Sequence, residues 1–389
     1  MDDRSLLPLT RFIILYAILY SSFGVVSPFL PAFIQSRDIP PEQIGLIFAA
    51  GTAIRLLSAP VAGRLADRLS ARREILAICA IAAAIGALLY LPVAGLWAIM
   101  LVSLFQAIAL APLAPLSDAL ALLAAKRERN APQPGFEYGW VRGTGSAAFI
   151  VGSILVGSAV SSWGLAIILW LQAALLMMVP LATRLVPEES NRSPSQQAIT
   201  KDSVAALLRM PVFRRVVLVA ALILGSHAMH DTFAVIRWSA ADISPPTASL
   251  LWSASVAAEV VVFFVIGPSL VRVLSPAGAI ALAGLAGAVR WGIAAVTADT
   301  TALVFTQPLH GLTFALLHLA CMRLLAEHVP QQLAATAQAI YGTVGVGLAT
   351  AALTLVSGWL YARMGPEAFG FMSLLCLAAL PLTAGLRRR

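Results

Sequence analysis

From Leu9 to Leu386 the chain is a succession of apolar runs of about 20 residues joined by short polar stretches. That feature leaves little choice of fold. Only 11% of the 389 residues are charged and 60% are hydrophobic, whereas soluble domains carry about 25% charged residues. Runs of that length are too long for the tilted, alternating strands of an outer-membrane barrel. The reading is an all-α membrane protein. Twelve segments are expected, at about 9–33, 41–65, 75–91, 96–123, 138–160, 165–185, 212–238, 248–271, 277–296, 301–326, 334–361 and 369–386.

A net charge of +8 and a pI near 10 would suggest nucleic acid in a soluble protein. Here the positive-inside rule accounts for the excess, and no nucleic-acid partner is expected. Most of the 26 Lys and Arg fall on one side if both termini face the cytoplasm of an inner-membrane protein. Residues 187–210 form the one long polar stretch and divide the chain into an N-terminal bundle, 1–186, and a C-terminal bundle, 211–389. The halves echo each other about 200 residues apart: Pro40-Pro41 with Pro245-Pro246, Gln106 with Gln307, Tyr138-Gly139 with Tyr341-Gly342, Gly164 with Gly365. In the same register Arg55 aligns with Glu259. Two related six-helix bundles with a charge at matching places describe a transporter.

Ionisable residues inside the runs are the candidate site, because such groups are costly in hydrocarbon and are kept for function or pairing. Gly225 to Trp238 reads GSHAMHDTFAVIRW. On one helix His227, His230, Asp231 and Arg237 span a little over a third of the circumference. His227 and Asp231 are candidates for a proton relay, against a plain polar contact to a neighbouring helix. Glu259 is mid-segment with no cation three or four residues away on its own helix, which suits a group that loads and releases a proton. The alternative is a fixed ion pair, with Arg142 as partner. Arg55 fits a substrate carboxylate or a counter-ion to a group such as Gln338. Arg237, at the outer end of its segment, is read as a second cation for an organic anion, against a surface anchor paired with Asp242. His310, His318, Gln106, Gln338 and Tyr341 complete the candidate cavity, with His230. Asp118 is expected to pair with Arg142, and Arg290 to be structural or to snorkel from a peripheral helix.

Gly63 to Arg73, GRLADRLSARR, resembles the loop signature of the major facilitator superfamily, with Ser70 and Ala71 replacing the usual glycine and basic residue. The resemblance implies a conformation-sensitive charge contact at Asp67 and Arg68. GSHAMHDTF, SVAAEV from Ser255, RW at Arg290, LHGLTFALLHLA from Leu309 and AQAIYG from Ala337 resemble the phenylpropionate permease family. That family is related to lactose permease and nucleoside–proton symporters. It implies import of a small organic acid with protons, by alternating access. It also implies aromatic residues at positions 230, 231 and 237, where this chain has ionisable ones.

The chain carries no P-loop, no metal-ligand spacing and no catalytic constellation. The expectation is therefore a transporter rather than an enzyme, without cofactor or metal, working as a monomer in the bilayer on a small molecule and protons. Sugar or nucleoside symport and drug or metabolite efflux are the rivals within transport. A sensor or scaffold on the same frame has no need of the buried charges.

Overall fold

The computed structural model describes residues 7–125, 136–187 and 201–386. The basic loop 126–135 and most of the linker lie outside them. The described residues are helical almost throughout. In chain order the helices are α1 (Pro8–Val26), α2 (Leu30–Gln35), α3 (Pro41–Leu69), α4 (Arg72–Leu89), α5 (Leu96–Leu110), α6 (Leu113–Ala125), α7 (Tyr138–Trp163) and α8 (Ile167–Leu185). They continue as α9 (Lys201–Arg209), α10 (Pro211–Ile223), α11 (His227–Ala240), α12 (Pro245–Val261), α13 (Gly267–Val296), α14 (Thr300–Thr306), α15 (Leu317–His328), α16 (Ala334–Ile340), α17 (Ala349–Met364) and α18 (Phe369–Ala384). Wider π-helical turns at Val262–Ile266, Gly311–Leu316 and Tyr341–Leu348 interrupt the later half.

The twelve crossings follow from these elements. α1 and α2 make the first, broken at Ser27–Phe29 ahead of Pro31; α5 and α6 share the fourth, broken around Pro112. Helix runs continuously through Pro245–Val296, 52 residues. At 1.5 Å per residue that would be roughly two and a half times the bilayer core. Ser275, at φ 62 and ψ 161, folds it into two crossings. Gly365, at φ 58, likewise separates α17 from α18. α4 opens with Arg72, Arg73 and Glu74, which place its start at a membrane edge.

The chain groups into two compact units. The first comprises Met1–Ile39, Ile54–Ser195 and Pro245–Leu250; the second comprises Pro40–Ala53, Gln196–Ser244 and Leu251–Arg389. In the first, α1 packs backbone to backbone against α7. A Cβ on Gly24 would lie 2.2 Å from the Phe149 carbonyl oxygen, and one on Gly152 2.9 Å from that of Ser21. Lipid tails are as apolar as leucine, so close approach by small residues replaces hydrophobic exclusion as the cohesive term. In the second unit Gly45 and Gly358 meet the same way: a Cβ on either would come within 3.0 Å of the other's Cα.

The internal repeat is written into the backbone as well. Residues with left-handed φ recur at matching places: Asp38 and Asp242, both at 59°, and Ser70 and Ser275, at 50° and 62°. Gly164 and Gly365 form a third pair. Non-glycine residues rarely adopt this conformation, and Asp is among those that tolerate it.

Candidate transport site

The stretch GSHAMHDTFAVIRW does not begin inside a helix; it begins one. α10 stops at Ile223, and Gly225 and Ser226 form a turn before α11. The Ser226 hydroxyl donates to the Ile223 carbonyl at 2.6 Å and accepts from Trp291 Nε1 at 2.8 Å. This break sets the rotation of α11, which is buried from His227 to Trp238 on every side but one: the Asp231 side chain is 56% exposed.

Arg290 is the centre of the cluster around α11. It is 1% exposed. Its Nη1 donates to His310 Nδ1 at 3.0 Å, and its Nη2 donates to Gln307 Oε1 at 3.0 Å and faces His230 Nε2 at 3.3 Å. His230 Nδ1 lies 3.3 Å from Asp231 Oδ1, and His310 Nε2 lies 3.4 Å from Glu259 Oε2. Two carboxylates thus flank a histidine–arginine–histidine core. Aromatic rings enclose it: Trp252 stacks on His230 at 5.2 Å, and the guanidinium of Arg290 sits over Trp291 at 4.4 Å. Desolvated guanidinium on indole is among the stronger cation–π arrangements. The Arg290 Nε–H is buried without a hydrogen-bond partner.

Several expectations change. Arg290 does not snorkel; it is the most connected ionisable group of the cluster. His227 does not face Asp231. Its Nε2 meets Thr313 Oγ1 at 3.0 Å, and its ring packs on His310 at 4.9 Å. Asp231 is served by the adjacent His230 instead, because α11 is embedded all round rather than along one stripe. Arg237 is no surface anchor. It is 7% exposed, lies over Phe369 at 5.6 Å, has a buried Nη1 without a hydrogen-bond partner, and forms no ion pair with Asp242. Tyr341 is buried and its hydroxyl meets His318 Nδ1 at 3.3 Å, while Gln338 is exposed.

In the first unit the Asp118–Arg142 pair gives way to tyrosines. Asp118 accepts from the hydroxyls of Tyr16 and Tyr138, and Arg142 donates to Tyr20 while covering its ring at 5.0 Å. Gln106 donates to Gln172 Oε1 at 2.9 Å. Arg55 is exposed midway along α3, with Tyr90 in electrostatic range. Asp67 pairs with Arg72, at 2.7 Å on the first turn of α4, and Arg68 is exposed. Gln307 and Thr313 carry no charge and do not stand out in the sequence as site residues; the match of Gln307 to Gln106 in the repeat is the one available signal.

Successive apolar crossings that carry a buried, hydrogen-bonded set of charges define a polytopic membrane transporter. The chain belongs to the MFS_1-like family, whose model matches residues 9–371. It is 32% identical over 381 residues to a probable 3-phenylpropionic acid transporter of Escherichia coli, covering 95% of this chain and 96% of that one. It is 25% identical over 358 residues to a maltose permease of Geobacillus stearothermophilus, covering 91% and 88%. Among solved structures the nucleoside transporter NupG matches with a TM-score of 0.82 at 17% identity, covering 99% of this chain and 98% of that one. A human organic anion transporter, MFSD10, matches at 0.64 and 17%, covering 98% and 100%. The likeness to these structures fixes the major facilitator fold.

Proposed function

We propose that the protein is a secondary active transporter that carries a small organic acid together with protons by alternating access. The observation that carries this reading is the Asp231–His230–Arg290–His310–Glu259 cluster, held midway along apolar crossings. A scaffold or sensor has no use for such a costly arrangement. A symporter does: carboxylates beside histidines load and release protons, and buried cations hold an anion. Glu259 and Asp231 are the proton-loading groups. Arg237 offers a buried N–H that lacks an acceptor, and Arg55 a cation in mid-crossing. The name of the Escherichia coli relative favours an aromatic monocarboxylate. The topology follows the positive-inside rule, with both termini and the linker 187–210 in the cytoplasm of an inner-membrane protein and one chain sufficient for transport.

The test is uptake by the purified protein in proteoliposomes, with 3-phenylpropionate, maltose and a nucleoside offered in parallel. Acid uptake that accelerates under an inside-alkaline gradient supports the proposal. Uptake of maltose or nucleoside instead would replace the acid with a neutral substrate. Acid export coupled to an inward proton flux would make the protein an exchanger for efflux.

A further inference from the structure

The hydrogen bonds around Arg290 prescribe where each neighbouring proton sits. A guanidinium has five N–H donors and no acceptor, and it stays charged at every relevant pH. The nitrogen that faces it on a neutral imidazole must therefore carry the lone pair. On His310 that nitrogen is Nδ1, so the ring proton is on Nε2, turned to Glu259. On His230 it is Nε2, so the ring proton is on Nδ1, turned to Asp231. Gln307 Oε1, 3.2 Å from the same His230 nitrogen, already accepts from Arg290 and needs no proton from the ring. His227 is fixed as well. The Thr313 hydroxyl donates to the His310 carbonyl at 3.2 Å, so its oxygen accepts the His227 Nε2–H.

From this geometry we infer that Arg290 is a proton stop. It holds His230 and His310 in opposite tautomers, each N–H aimed at its own carboxylate, so that Asp231 and Glu259 exchange protons with water separately. Consider a proton crossing from Asp231 to Glu259. His230 Nδ1 already carries the ring proton and has no lone pair to take one from Asp231. Its one basic nitrogen, Nε2, faces a guanidinium and an amide oxygen, neither of which passes a proton on at neutral pH. His310 is blocked in the same way: its Nε2 is already protonated toward Glu259, and the lone pair on Nδ1 faces the same guanidinium. His227 offers no bypass, because its Nε2–H ends on Thr313. Arg290 is thus a positioning residue for both carboxylates. The consequence for transport rests on the proton-coupled reading above, but the tautomers do not.

The experiment uses the full-length protein in lipid bilayers with 15N-labelled histidine, read by solid-state NMR. His328, whose Nδ1 meets the Leu324 carbonyl at 3.1 Å, is removed as His328→Gln in every sample. His230 is expected as a neutral ring protonated at Nδ1, assigned by its loss in His230→Gln, and His310 and His227 as rings protonated at Nε2. Arg290→Met should convert His230 to the doubly protonated form, with N–H to both Asp231 and Gln307, and Arg290→Lys should restore the neutral ring. In parallel, infrared spectroscopy follows hydrogen–deuterium exchange of the Glu259 carboxyl, which should keep its rate in Asp231→Asn. A wild-type His230 protonated at Nε2 overturns the inference without any Arg290 variant. So does Glu259 exchange slowed about tenfold or more in Asp231→Asn. These readouts involve no transport. Uptake indifferent to a proton gradient, with the tautomers as stated, would refute symport and leave the proton stop standing.

Discussion

Glu259 Oε2 and His310 Nε2 face each other at 3.4 Å, each shortly before its helix changes to the wider π-turn. Glu259 precedes the turn at Val262–Ile266 and His310 the one at Gly311–Leu316. Wider turns of this kind are concentrated at functional positions in helices. Here they bring the backbones close as well: a Cβ on Gly311 would lie 2.6 Å from the Ala258 carbonyl oxygen.

Glu259→Gln keeps the shape and the hydrogen bond and removes the exchangeable proton. Uptake driven by a pH gradient is expected to fall to background while counterflow exchange of substrate persists. Proteoliposome assays of the two modes side by side decide it. Gradient-driven uptake that survives the substitution would move coupling to Asp231.

Arg237→Gln removes a charge whose Nη1 is buried without an acceptor. A charge-assisted bond to a carboxylate contributes about 1.5–3 kcal/mol, or roughly ten- to a hundredfold in affinity. Apparent affinity for an acid should drop by at least about tenfold, with its neutral amide analogue little affected. Equal small effects on acid and amide would assign the carboxylate to Arg55.

Gly358→Val tests the backbone contact in the second unit. Its Cβ would meet the Pro41 carbonyl oxygen at 2.7 Å and the Gly45 Cα at 2.9 Å, and backbone cannot rotate aside. Overpacking of this kind costs about 1–3 kcal/mol or more. The variant should melt several degrees lower in detergent than Gly342→Ala, where an added Cβ has no neighbour within 4 Å. Equal melting temperatures would mean the two helices separate freely there.

Reporter fusions at the C-terminus and within the linker should give cytoplasmic activity only. The motive is the side on which the Lys and Arg collect. Periplasmic activity at either place would contradict the twelve-crossing topology.

The fold was legible because the bilayer imposes it: length and apolarity mark each crossing, and the repeat marks the two halves. The ionisable members of the site were legible for the same reason, since Glu259, Asp231, His230 and Arg290 stand out against an apolar background. Their pairing was not. Spacing on an ideal helix put His227 with Asp231, and both do lie on α11, but His227 turns to Thr313 and Asp231 to His230, with the other partners coming from α13 and the segment after α14. Arg290 was read from its place in the order of helices, which says nothing of the direction of its side chain. The sequence offers Asp118 a cation, Arg142, whereas tyrosine hydroxyls, silent in any charge count, satisfy it.

The left-handed residues recur as Asp38 with Asp242 and Ser70 with Ser275, although the helices between them carry different chemistry: glutamines and tyrosines in one half, histidines and an arginine in the other. Duplication of an ancestral half explains such a pattern. After the copying, joints that set the direction of the chain had few acceptable replacements, while interior positions were free to specialise. One copy gathered histidines around a buried arginine while the other kept Asp118 and Arg142 among tyrosines, so the asymmetry of the present protein lies in its interior polar residues and not in its hinges.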